Sequence, residues 1–140
     1  MKKLNILLVT LIAFVFTSAN AELTNFEKGK NLFKEKKYNL AKFKFEQDIV
    51  FNPKSGLSYL YLSKIFNKLG KKDLEEQNLN TVILLNPKNE EAIYNLAKLK
   101  LASSDYKKSK ELNNKLSSIC NKFCNKNSEL KIEIENLSKK

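Results

Sequence analysis

Cys120 and Cys124 are the only cysteines among 140 residues. Their C-x-x-x-C spacing is one residue longer than the C-x-x-C of thiol oxidoreductases, and no thioredoxin-like pattern surrounds them. Two thiols without a histidine also make a poor zinc set. An even pair this close predicts a disulfide formed in an oxidising compartment, worth about 2 kcal/mol for so short a loop. The chain has no His and no Trp. Without His, the Ser-His-Asp and Cys-His nucleophile systems are excluded. The three aspartates, Asp48, Asp73 and Asp105, each read as structural, inside a helix or at its start. The glutamates show no phasing that would pair two carboxylates. Gly29, Gly56 and Gly70 are the only glycines, so no phosphate-cradling loop is present. No nucleophile–base pair emerges, and the expectation is a protein that is not an enzyme and holds no cofactor and no metal.

The second chemical feature is charge. All 26 basic residues are lysine and the formal net charge is +11. Arginine reads guanine edges and phosphates with two parallel hydrogen bonds, and it is missing here. The lysines are spread along the chain rather than clustered, which argues against nucleic acid. The 18 asparagines beside them point to a composition bias that accounts for part of the charge. Attraction to acidic partners or anionic envelope surfaces is consistent with what is left.

Residues 1–21 read as a bacterial signal peptide. Lys2 and Lys3 open it, Leu4 to Phe16 form its apolar centre, and Ala19-Asn20-Ala21 supplies an A-x-A cleavage site. The apolar run is too short for a membrane span. Cleavage after Ala21 is expected to leave a periplasmic or secreted protein without stable membrane insertion. Loss of Lys2 and Lys3 lowers the net charge from +11 to +9.

Helices must position whatever site the rest of the chain carries. Apolar spacing and caps predict seven of them, at about 24–35, 39–51, 55–69, 73–85, 89–102, from Asp105 onward, and 128–137. Thr24-x-x-Glu27 is a capping box at the first. Gly70 closes the third, as a helix C-terminal glycine should. Leu130, Ile132 and Ile134 alternate like a strand, but Leu130, Ile134 and Leu137 fit a helix, and the six preceding helices favour a terminal capping helix.

Asn52-Pro53-Lys54 and Asn86-Pro87-Lys88 stand 34 residues apart. The same spacing links small residues Gly29, Ser63 and Ala97, with Ala41 and Ser109 as a second small column. Large apolar residues at Tyr38, Phe45, Tyr59, Leu62, Phe66, Leu79, Val82, Ile93, Leu96, Tyr106 and Leu116 fill the intervening positions. In this phasing the chain resembles the tetratricopeptide repeat (TPR) proteins over about residues 22–120. The resemblance implies an all-α solenoid of helical hairpins, with repeats at about 22–55, 56–89 and 90–123 and a capping helix at about 128–138, making one domain over 22–140. Asp48 and Glu75 depart from the pattern, since each occupies a position usually small or apolar. They are expected either to find lysines or to open their helices. The third unit lacks the closing proline, so its second helix is expected to run longer.

The resemblance also implies a ligand groove along the first helix of each unit. Carried over singly, its columns are Phe26, Leu60 and Tyr94; Lys30, Lys64 and Lys98; and Lys34 and Lys68. A lysine column beside an apolar one suits an extended or helical peptide with acidic residues. The TPR subclass that clamps a C-terminal carboxylate uses Lys and Asn where this chain has Phe26 and Lys30, so that subclass is not indicated. The function expected is a scaffold that binds a partner protein or peptide in a concave groove, set in the cell envelope. A charge-driven binder of an anionic envelope surface or polymer is the alternative, and an enzyme stands third.

Overall fold

The computed structural model describes residues 23–139. The expected signal peptide and its cleavage after Ala21 lie outside the described residues. Seven helices follow in order: α1 (Asn25–Lys34), α2 (Tyr38–Phe51), α3 (Gly56–Lys68), α4 (Lys72–Leu85), α5 (Glu90–Ala102), α6 (Tyr106–Ile119) and α7 (Cys124–Leu137). They pack in sequence as three antiparallel hairpins, α1–α2, α3–α4 and α5–α6, with α7 against α6 and α5. There is no strand among the described residues.

Starts and stops follow local chemistry. Thr24 accepts the Glu27 N–H, Asn89 the Ala92 N–H and Asp105 the Lys108 N–H, so α1, α5 and α6 each open on a side-chain cap. The turn inside each hairpin has one left-handed residue, and these are Lys36 (φ 60°), Gly70 (φ 68°) and Ser104 (φ 61°). Each turn closes the same way. The N–H groups of Lys37, Lys71 and Asp105 reach back to the carbonyls of Leu32, Phe66 and Lys100, all at 2.9 Å. Only one of the three positions has the glycine that this geometry favours.

The unit-three helix corrects one expectation. Without a proline, α6 was expected to run on. It ends at Ile119, and the second helices therefore end at Phe51, Leu85 and Ile119. A carboxylate does the work of the missing ring. Glu90 Oε2 accepts the backbone N–H groups of Asn121, Lys122 and Phe123, at 3.0, 2.9 and 2.8 Å. These three amides lead into α7, where a negative charge is favoured by the helix dipole and unpaired donors. The Sγ atoms of Cys120 and Cys124 are joined across the same residues. With the turn fixed from both sides, α7 begins at Cys124 and not at the expected 128.

Two apolar clusters share α3. Ala41, Phe45, Leu62, Ile65 and Phe66 form the first, with Phe26, Phe33 and Tyr61 against it. Leu60, Leu79, Val82, Ile93, Leu96, Leu116, Leu130 and Ile134 belong to the second. Gly29 is a glycine for a steric reason, because a Cβ there would meet the Phe45 ring at 3.0 Å. The two aberrant carboxylates neither open their helices nor take a lysine as hydrogen-bond partner. Ser58 Oγ donates to Asp48 Oδ2 at 2.5 Å. Asn67 Nδ2 donates to both oxygens of the buried Glu75 at 3.1 Å. Both donors, Ser58 and Asn67, are short neutral side chains of α3.

Candidate functional site

A cleft of about 580 Å³ is lined chiefly by the first helices α3 and α5, with Phe33 of α1 and Lys72 and Glu75 of α4 at its border. Phe33, Leu99 and Ala102 give it apolar walls, while Lys68, Lys98 and Asn95 supply polar groups. This mixture suits an extended chain, which needs apolar contact for side chains and hydrogen-bond partners for its backbone.

The structure separates the residues expected in the groove. Lys64, Lys68, Tyr94 and Lys98 line the cleft together. Lys68 and Lys98 are exposed and have no ion pair among the described residues. Lys64 is already engaged, with Glu91 at 2.8 Å and the Tyr61 ring 5.0 Å from its Nζ. Lys30 is paired to Glu27 at 3.0 Å and lies over Phe26, so it sits outside the cleft lining. Phe26 packs into an aromatic group, 5.8 Å from the centroids of both Phe45 and Tyr61. Lys34 is exposed at the end of α1, beyond the lining residues.

Leu60 is a correction. It was expected to face the groove and is only 4% exposed, inside the second apolar cluster. Equal spacing in sequence does not make one exposed column here. Phe26 and Tyr94 keep partial exposure by stacking on other rings, whereas the smaller Leu60 is drawn wholly between α3, α4 and α5. Residues the spacing missed include Phe33, Asn67, Lys72, Asn95 and Glu91, all on the cleft wall. The Lys64–Glu91 bridge joins two units, and no local spacing rule announces such a pair.

Electrostatically the cleft is uneven. At its border Glu75 is held above the ordinary carboxylate range, chiefly by burial, against the opposing Asn67 hydrogen bond and nearby Lys72. Next to Tyr94, whose ring centroid is 5.5 Å from that of Phe123, the Lys126 ammonium lies over both rings. The wall at α5 is thus connected to the clamped turn before α7.

No known protein-family model matches the chain, and no curated protein matches it. Solved structures do. The first TPR of Spaghetti (RPAP3), bound to the HSP90 peptide SRMEEVD, aligns at TM-score 0.73 and 19% identity, over 83% of this chain and 91% of that one. The type III secretion translocator chaperone SycD of Yersinia enterocolitica aligns at TM-score 0.73 and 15% identity, over 92% and 91%. The TPR2B domain of yeast Sti1, in complex with a pHsp70 partner, aligns at TM-score 0.73 and 16% identity, over 82% and 99%. At these identities the likeness concerns architecture, and the residues that face each groove are this chain's own. Three hairpins in sequence, small residues at their close approaches and a terminal helix over the open end give this chain the tetratricopeptide fold.

Proposed function

We propose that this chain is a non-catalytic scaffold of the bacterial cell envelope that holds an extended, acidic segment of a partner protein. The observation that carries the reading is the cleft lined chiefly by α3 and α5, where Lys68 and Lys98 stand without ion pairs beside apolar Phe33, Leu99 and Ala102. Acidic side chains would meet the two ammonium groups, and Asn67 and Asn95 would serve the partner's backbone. Similar folds support this reading, since the RPAP3 domain is bound to the acidic peptide SRMEEVD and SycD has been solved with a peptide of the translocator YopD. Export rests on the signal-peptide pattern of residues 1–21 and is supported by the joined cysteines, which suit an oxidising compartment. Intact-mass analysis of the native protein tests it, with Glu22 expected as the first residue.

The binding test is a crosslinking pull-down from envelope extract with the mature chain, paired with Lys68→Glu plus Lys98→Glu. One dominant partner is expected, with at least tenfold weaker capture by the double variant, given charge-assisted contacts of about 1.5–3 kcal/mol each. Lys115→Glu, on exposed α6 surface away from the cleft lining, should leave capture unchanged. Equal losses from both variants, with many acidic partners released by salt, would sink the groove reading and favour simple charge attraction.

A further inference from the structure

The cleft leans toward the turns inside the hairpins, where Lys68, Gly70 and Ala102 lie. At the opposite edge the second helices end and the first helices begin. There the stack exposes its most accessible large apolar side chains among the described residues: Phe51 at 82%, Leu84 at 81% and Val50 at 74%. Val50-Phe51 and Leu84-Leu85 close α2 and α4 at equivalent places, each followed by Asn-Pro-Lys. One lysine marks each turn of this edge, since Lys54, Lys88 and Lys122 recur at the 34-residue spacing. All three are exposed, and none is in an ion pair among the described residues.

The acidic groups nearby are occupied internally. Asp48 takes the Ser58 hydroxyl, Glu90 the three amides before α7, and Glu91 the Lys64 ammonium. The edge is therefore apolar at its tips and cationic along its length. The described chain also enters here, at exposed Leu23.

We propose that this edge seats the domain on an anionic phospholipid surface. Val50, Phe51 and Leu84 enter the boundary between headgroups and acyl chains, and Lys54, Lys88 and Lys122 meet the phosphates. None of the described helices is long and apolar enough to cross a membrane, so the contact is interfacial. A bilayer fits better than the other occupants. Side chains as exposed as Phe51, Leu84 and Val50 suit a fluid surface more than a protein's fixed relief. A second copy brought edge to edge would set three lysines against three. The cleft, leaning the other way, stays open to a peptide while the edge is seated.

The absence of Trp makes the test local. Phe51→Trp, Leu84→Trp and, at the opposite edge, Lys71→Trp each place one tryptophan at an exposed position. Each is mixed with phosphatidylglycerol/phosphatidylcholine vesicles and with phosphatidylcholine vesicles, as the full chain and as residues 22–140. The second form is justified because both apolar clusters are built within Phe26–Leu137. Expected are a blue shift and quenching by brominated acyl chains for Phe51→Trp and Leu84→Trp on the anionic vesicles, and neither for Lys71→Trp. The triple change Lys54→Gln, Lys88→Gln and Lys122→Gln should lower vesicle affinity roughly a hundredfold, at about fivefold per near-surface lysine lost, and the triple change Lys36→Gln, Lys71→Gln and Lys107→Gln less than tenfold. Equal responses at both edges overturn the proposal in favour of diffuse charge. So does a solution dimer that shields Leu84→Trp without lipid, or an absence of any shift at Phe51→Trp and Leu84→Trp.

Discussion

Glu90 and Glu75 are displaced in opposite directions by one fold. Glu90 is held below the ordinary carboxylate range, first by the Asn121 amide, against an opposing desolvation, and then by the Phe123 and Lys122 amides and the Lys122 charge. Its contribution to stability is present above its unfolded value of 4.5 and is lost as pH falls through the lower folded value. Glu75 is raised by burial, so its charge costs stability above its folded value, and that cost vanishes below 4.5. Thermal melts across pH 3–8 separate the two. Glu90→Gln should lower Tm at pH 7 and flatten the loss toward acid. Glu75→Gln, which keeps an acceptor for Asn67, should raise Tm at pH 7, with the gain fading by pH 4. A fall in Tm for Glu75→Gln at pH 7 would mean that Lys72 and Asn67 outweigh the burial.

At the scale of elements, the hairpin turns repeat a geometry more faithfully than they repeat a residue. Gly70 suits its left-handed position, while Lys36 and Ser104 hold theirs with a side chain, at a cost of about 1 kcal/mol each. Lys36→Gly and Ser104→Gly should each stabilise the chain by up to about 1 kcal/mol in urea melts, less what glycine gains in the unfolded state. Gly70→Ala should destabilise by a similar amount. If Ser104→Gly lowers stability, the Ser104 side chain must contribute something beyond the turn. The turn before α7 solves a different problem. Where Asn-Pro closes α2 and α4, α6 is stopped by a carboxylate from another helix and by a covalent link, and both devices bring Phe123 to Tyr94 on the cleft wall.

At the scale of the whole molecule, contacts run between neighbours, as expected of a stacked array. The two clusters meet only through α3, where Leu60 serves the second and Leu62, Ile65 and Phe66 the first. Such an array should come apart from its ends. Leu130→Ala, which removes a nearly inaccessible side chain of α7, should cost about 2–5 kcal/mol. Amide exchange followed by mass spectrometry should then quicken in α6 and α7 far more than in α1 and α2. Uniform quickening along the chain would show a single cooperative block.

Much of this architecture could be read in advance, because its determinants are local. The Asn-Pro pairs, the Thr24, Asn89 and Asp105 caps and the small column Gly29, Ser63, Ala97 act within a turn or a hairpin, and one sequence suffices to show their period. The groove was not legible as a set of side chains. Lys64 shares the spacing of Lys98 yet is taken by Glu91, and Leu60 shares the spacing of Tyr94 yet is buried. Such outcomes depend on how far adjacent units rotate and approach, which no local rule contains. The same holds for Glu90, whose charge reaches amides more than thirty residues away and ends a helix that lacks a proline. The chain alone thus determined the helices and their period. Which lysines stand unpaired, which apolar side chains stay in water and which carboxylate closes the last unit were decided by tertiary packing, since each depends on a partner from another unit.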